Sequence, residues 1–171
     1  MAREKARAVY NLIVSPAKRA RRTPSTVQRR VITQLEKALA QVHSRHRGRA
    51  TLRVRAESVL STLAGVNCAI LIANNFGRYV HMNDRAIRLT GYSEAELRRS
   101  AVWDLTPEVD LAEARQMWRA FLRQGRMQGP YVIQHKDGRK IPVEYVAVAN
   151  VLPGLHVSAL LPTRRTRAAV S

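Results

Sequence analysis

Apolar and polar positions change their spacing near residue 65, and this change divides the chain into a helical part and a strand-rich part. Between residues 27 and 43, apolar residues recur at three- and four-residue intervals, the spacing of one face of an α-helix. The residues of this stripe are Ile32, Leu35, Leu39 and Val42. A further helix is predicted for residues 52–64 and ends near Gly65, a frequent helix stop. Its apolar face carries Val59, Leu60 and Leu63.

Beyond Gly65 the pattern predicts strands at both ends of the segment and short helices between them. Residues 68–73 form a continuous apolar run, which is typical of a strand buried on both faces, and residues 78–82 return as its hairpin partner. The predicted helices are 84–90, 94–99 and 110–123, with Gly125 and Gly129 ending the last of them, and the remaining strands are 131–135, 140–150 and 155–161. This order predicts an α+β fold with one antiparallel sheet and its helices on one face.

Three segments in this order resemble the PAS domain family. In residues 70–86 a strand, a turn and a strand lead to an asparagine that opens a short helix, as in the family. Residues 90–97 read TGYSEAEL and resemble the family's "TGYS.EEL" block, while KDGRKIPVE at 136–144 resembles its "kDG…fPvE" hairpin. The resemblance covers about residues 66–162. The positions that match family structural residues are Asn83, Gly91, Glu96, Asp137 and Gly138.

The resemblance implies a PAS fold, in which a five-stranded antiparallel sheet cups a small cavity against its helices. Such domains are sensory or interaction modules that bind a small ligand or a partner, here a signalling protein or a transcription regulator, and they are not enzymes. The sequence contains no catalytic motif that contradicts this. The predicted organisation is a basic segment at 1–26, a helical extension at 27–65, the PAS domain at 66–162 and a flexible basic tail at 163–171.

Side-chain alternation along residues 141–150 puts Ile141, Val143, Tyr145, Ala147 and Ala149 on one face, which in the family looks into the cup. The candidate ligand-cavity residues are Ile72, Met82, Ile87, Trp103, Met117, Val143, Tyr145 and Val157. A filled core needs the same residue types and is the favoured alternative. The family resemblance also suggests a salt bridge from Glu96 to Arg139 or Lys140.

The opposite face of the predicted sheet is apolar as well. Val146, Val148, Leu160 and Leu71 are expected to point away from the cup, although one face of an antiparallel sheet is commonly polar. We therefore expect the N-terminal helices to cover this outer face, within a homodimer. The residues proposed for this cover or dimer contact are Ile32, Leu35, Leu39, Val42, Val59, Leu63, Val146 and Val148.

The signatures of the family's haem and flavin cofactors are absent, and the cofactor is left unknown. Haem-binding relatives ligate iron through a histidine on the long helix, whereas residues 110–126 contain none. His81 or His135 is an alternative ligand, but a structural histidine is more frequent. Flavin photoreceptors need a reactive cysteine after the Gly-Tyr block. Here the single cysteine, Cys68, lies on the first strand, and no metal site is predicted.

The formal net charge of +18 is concentrated near the N-terminus. Residues 1–55 hold 15 Lys and Arg against two Glu, so residues 17–55 are a candidate contact with nucleic acid or another polyanion. A PAS-regulated transcription factor or nucleic-acid-binding protein is therefore the alternative function, and a solvated arginine-rich surface is the plain explanation. The single cysteine favours a reducing cytoplasm, and no apolar run is long enough to predict membrane association.

Overall fold

A computed structural model describes residues 26–45, 52–107 and 111–163. Its centre is one five-stranded antiparallel sheet with the spatial order β2-β1-β5-β4-β3. The strands are β1 (Ala69–Asn74), β2 (Tyr79–Met82), β3 (Arg126–Gln134), β4 (Lys140–Leu152) and β5 (Leu155–Pro162). This architecture confirms the predicted α+β class and five-stranded sheet.

Two helices precede the sheet and three follow its first hairpin. Their bounds are α1 (Thr26–Arg45), α2 (Leu52–Thr62), α3 (Asp84–Thr90), α4 (Glu94–Arg99) and α5 (Leu111–Gln124), with a 3₁₀ turn at Val102–Leu105. The Ser93 side chain accepts a hydrogen bond from the Glu96 amide, and the Glu96 carboxylate accepts one from the Ser93 amide. This reciprocal cap satisfies amides that the first turn of α4 leaves unpaired.

Strand β3 begins five residues before the predicted start, which is a correction. Gly129 does not end the preceding helix; it lies inside β3, where its backbone pairs with Tyr145. Gly125 ends α5 with a left-handed backbone, φ 75°, that glycine adopts without strain. The Asp137-Gly138 turn joins β3 to β4 as predicted.

The convex face of the sheet is covered by α1 and α2 of the same chain. A single apolar cluster joins both helices to β1, β4 and β5, and we call it the outer layer. Its buried helical members are Val31, Leu35, Leu39, Val42, Ala56 and Val59, and its buried sheet members include Ile70, Ile72, Val146, Val157 and Ala159. The two-sided apolarity of the sheet is thus accommodated within one chain and does not require a second copy.

All eight residues proposed for the cover lie in the outer layer. Six of them are fully buried there, while Ile32 and Val148 are half-buried and pack against it. Two polar contacts add to this packing. The Arg126 guanidinium of β3 lies 2.8 Å from the Glu36 carboxylate of α1, and the Arg55 guanidinium of α2 donates to the Pro153 carbonyl at 2.8 Å. Such exposed contacts stabilise by under about 1 kcal/mol, so apolar burial holds the helices in place.

No helix within the described ranges is long and apolar enough to cross a membrane. Nearly all of the basic segment at residues 1–26 and of the C-terminal tail at 163–171 lies outside the described residues.

Candidate ligand cavity

A cavity of about 140 Å³ lies between the concave face of the sheet and the layer formed by the 3₁₀ turn and α5. The sheet contributes Leu71, Tyr79, Tyr145, Ala147, Ser158 and Leu160 to its lining. The helical layer contributes Leu105, Thr106, Ala114, Met117, Trp118 and Phe121. This lining is largely apolar, with hydroxyl groups as its main polar elements.

Trp103, Met117 and Tyr145, three of the predicted cavity residues, lie in this lining. Met82, Ile87 and Val143 belong to the packed core on the same side of the sheet without lining the cavity. Their part in binding a ligand stays a prediction.

Ile72 and Val157 were assigned to the wrong face. Both belong to the outer layer, whereas Leu71 and Leu160, expected outside, line the cavity. Strand β1 is apolar on both faces, so its sequence has no alternation from which an inward position could be read. Pairing with β5 settles the question, because Leu71 lies opposite the cavity residue Ser158.

Two hydroxyl groups of the lining satisfy each other. The Thr106 and Tyr131 side-chain oxygens are 2.6 Å apart, and the Tyr131 ring meets the Tyr145 ring edge-on at 5.6 Å between centroids. Burial raises the pKa of Tyr131 to about 12, so its hydroxyl is neutral at physiological pH. The sequence pattern gave no sign of this pair, since the two residues are far apart along the chain.

His156 packs behind the cavity wall, against the lining residues Trp118 and Phe121. It is 2% exposed; its Nδ1 accepts from the Asn150 amide at 3.0 Å, and its Nε2 is 2.9 Å from Asn75 Oδ1. The Trp118 indole donates to the Asn75 carbonyl at 2.9 Å and meets the His156 ring edge-on. Because Nδ1 is an acceptor, Nε2 carries the proton and donates to Asn75. Sequence reasoning missed this anchor, although a lone histidine in an apolar strand was its signal.

Protonation of His156 is expected to destabilise the fold. Burial lowers the pKa of His156 to about 4, so the native state favours the neutral ring. The resulting stabilisation is complete above the unfolded pKa of about 6.5 and is lost as the pH falls toward 4. Urea unfolding should therefore give a free energy about 2–3 kcal/mol lower at pH 4.5 than at pH 7.

The matched control is His156→Gln, which removes the titrating ring at the same position. Its unfolding free energy should change much less between pH 7 and pH 4.5. The pKa values of Glu96 and Asp137 are lowered to about 2, chiefly by hydrogen bonds from Lys136 and the Arg139 amide respectively, so these carboxylates lose their contribution below this pH range. An equal pH-dependent loss in wild type and variant would contradict the assignment to His156.

The Glu96 carboxylate pairs with Lys136, at 2.6 Å, and not with Arg139 or Lys140 as expected. Arg139 instead binds Asp137 within the β3–β4 turn, at 2.7 Å. The sequence could not distinguish these neighbouring cations, because the turn geometry decides which of them faces α4. The Glu96 contact nevertheless joins the two family-like segments around residues 90–97 and 136–144.

Asn83 and Gly91 bound α3. The Asn83 side chain caps the first turn, and Gly91 ends the helix with φ 75°. A Cβ at Gly91 would lie 2.3 Å from the His135 ring, so this position requires glycine both for its backbone and for the close approach of His135.

The three residues considered for haem or flavin chemistry lie away from the cavity lining. The His81 ring is 3.4 Å from the Arg98 guanidinium, and His135 Nδ1 is 2.8 Å from Asp137 Oδ1. Cys68 is buried at the start of β1, and its burial raises the pKa of the thiol to about 12. In the described ranges, no cluster of three or more His, Cys, Asp or Glu could hold a metal ion.

A five-stranded antiparallel sheet that borders a small apolar cavity beneath short helices defines the fold as an α+β domain. A family model described as "PAS domain" matches residues 67–153, more than half of the chain. The chain therefore belongs to the PAS domain family, as its sequence motifs predicted.

Solved structures with the same fold come from several organisms. The PAS domain of an HTR-like protein from Haloarcula marismortui has 18% identity and a TM-score of 0.53, covering 64% of this chain and 93% of that one. The PAS domain of the fruit-fly ELK potassium channel has 15% identity and a TM-score of 0.52, covering 66% and 98%. A domain of a sensory box sensor histidine kinase/response regulator from Geobacter sulfurreducens has 18% identity and a TM-score of 0.52. The match covers 67% of this chain and 99% of that one. No curated protein matches the sequence.

Proposed function

We propose that this chain is a non-catalytic regulatory module that binds a small molecule in the cup and transmits its occupancy through the packing of α1 and α2. The observation that carries the proposal is the apolar cavity itself, separated from the outer layer by a single sheet. PAS domains are sensory modules of signal transduction, and such a cavity is the simplest place for a stimulus to act.

Strand β4 supplies the physical link between the two sides of the sheet. Tyr145 and Ala147 line the cavity, while Val146 and Val148 pack in the outer layer beneath the N-terminal helices. Because successive residues alternate between faces, a shift of β4 that accommodates a ligand also moves the surface on which α1 rests. Packed apolar layers respond to such shifts by changing between discrete arrangements.

The test combines binding with hydrogen exchange on the full chain. A panel of small charged and uncharged compounds is screened by calorimetry, and amide exchange is then followed with each compound that binds. We expect a bound compound to change exchange rates in α1 and α2 as well as in β4. A panel without any binder, or binders that leave both helices unchanged, would contradict the proposal.

A cavity-blocking variant makes this test specific. Ala147→Leu adds three carbons to the wall of the cavity and should abolish both the binding and the exchange change. Ala95→Leu adds the same atoms at an exposed position of α4 and should preserve both. Equal behaviour of the two variants would mean that the compounds bind elsewhere.

A signalling protein or transcription regulator as the output partner, a homodimer and a cytoplasmic location stay predictions. So does contact of residues 17–55 with nucleic acid, because residues 17–25 and 46–51 lie outside the described ranges. The described part of this region does expose Arg29, Arg30 and Lys37 on the side of α1 away from its buried stripe.

A further inference from the structure

The described part of the cavity lining carries no charged side chain. Among the described residues, no Asp, Glu, Lys, Arg or His side chain contributes to its wall. A carboxylate, phosphate or ammonium group that entered would lose its hydration without gaining an opposite charge, which is strongly unfavourable. The described part of the wall therefore disfavours ionised ligands.

The size of the cavity restricts the ligand further. At about 140 Å³ it is close to the roughly 150 Å³ apolar cavity that accepts benzene in another protein. A compound of about one aromatic ring fills such a space. A larger ligand would extend beyond this space.

The Tyr79 hydroxyl is a hydrogen-bonding group in the cavity lining. Tyr79 of β2 is only 6% exposed and lines the cavity, yet its hydroxyl makes no hydrogen bond to any other described residue. In contrast, the Thr106 and Tyr131 hydroxyls are paired with each other. No buried side-chain oxygen or nitrogen of the described residues lacks a hydrogen-bond partner, so the Tyr79 oxygen has surface open to the cavity. A hydrogen bond from a ligand to this hydroxyl contributes about 0.5–1.5 kcal/mol net.

We propose that the cavity binds a neutral ligand of about one-ring size whose single hydroxyl, amine or carbonyl group hydrogen-bonds to the Tyr79 hydroxyl. This inference rests on the proposed function and specifies the chemical class of its ligand. Burial raises the pKa of Tyr79, so the phenol remains neutral and both donates and accepts hydrogen bonds at physiological pH.

Calorimetry with phenol, toluene and benzoate tests the proposal directly. Wild-type protein should bind phenol about 3–10-fold more tightly than toluene, the gain expected from one hydrogen bond. Benzoate should show no binding at the concentration at which phenol saturates the protein. Tyr79→Phe should weaken phenol binding by about the same 3–10-fold and leave toluene binding unchanged.

Tyr131→Phe is the matched control, since it removes a lining hydroxyl whose partner is Thr106. It should reduce the preference for phenol over toluene less than Tyr79→Phe does. Thermal unfolding of each variant checks that the fold is retained. Both substitutions remove one oxygen and keep the ring.

The proposal is overturned if benzoate binds as tightly as phenol, or if neither phenol nor toluene binds. It is also overturned if Tyr79→Phe weakens the binding of phenol and toluene equally, or if it weakens the binding of neither compound. These failures are distinguishable from failure of the sensory function. A charged compound that bound in the cup and altered exchange in α1 would preserve the sensory function and remove only the ligand class.

Discussion

Replacing Asn83 by alanine is expected to lower the free energy of unfolding by about 3 kcal/mol. The Asn83 Oδ1 atom accepts from the Ala86 amide, which caps α3, and from the Ile70 amide of β1, both at 3.0 Å. Its Nδ2 donates to the Cys68 carbonyl at 2.9 Å. Ile70 is fully buried, so water cannot replace the lost acceptor without local opening. The cap and the buried amide therefore both contribute to the loss.

Asn83→Asp separates these contributions. Aspartate keeps an acceptor for both amides but places an oxygen where Nδ2 donates to Cys68, so its loss should lie between wild type and Asn83→Ala. Ser93→Ala removes only the exposed cap of α4 and should cost about 1 kcal/mol. The measurement is urea unfolding followed by tryptophan fluorescence. An Asn83→Ala variant as stable as wild type would show that the hydrogen bonds seen at this residue carry no net stability.

Local chemistry made much of the fold predictable. Asn83, Gly91 and the Asp137-Gly138 turn act on neighbouring residues, so the element ends beside them lie within a few residues of their predicted positions. The spatial order of the strands has no such local signal. β1 lies beside β5 because of pairing between residues more than 80 positions apart, which only the family resemblance suggested.

The candidate site was less predictable, for two physical reasons. The sequence of a strand that is apolar on both faces does not show which face points toward the cavity. For this reason Ile72 and Val157 were predicted on the cavity face, although they lie in the outer layer. The hydroxyl of Tyr79 also gave no signal, because a tyrosine in a strand is equally compatible with a packed core. Whether its oxygen finds a partner depends on the three-dimensional surroundings that β2 and the 3₁₀ turn create.

The cavity and the outer layer are two sides of one structural unit. The sheet is thin, its alternate residues serve both sides, and the helices that cover the outer face lie outside the segment that matches the family model. A change in the packing of α1 should therefore alter the packing on the cavity side of the sheet. Conveniently, both tryptophans of the chain, Trp103 and Trp118, line the cavity and report on that side of the sheet.

Leu35→Ala is expected to destabilise the whole domain by about 2–5 kcal/mol, although Leu35 lies on α1 and does not line the cavity. Leu35 is 1% exposed in the outer layer, so truncation leaves a void between α1 and the sheet. Tryptophan fluorescence follows the cup during urea unfolding, while far-ultraviolet circular dichroism follows the helices. Both signals should shift together to lower urea with an unchanged slope, because the helices and the sheet share one core.

Val54→Ala on α2 is the control for Leu35→Ala, since it also shortens an apolar side chain but at a position that is 52% exposed. Its effect should stay within about 0.5 kcal/mol. Two separate transitions in Leu35→Ala, with the tryptophan signal unchanged, would mean that α1 detaches without consequence for the cup. The proposed transmission from cavity to helices would then lack its physical basis, since coupling in that direction requires equal coupling in the reverse direction.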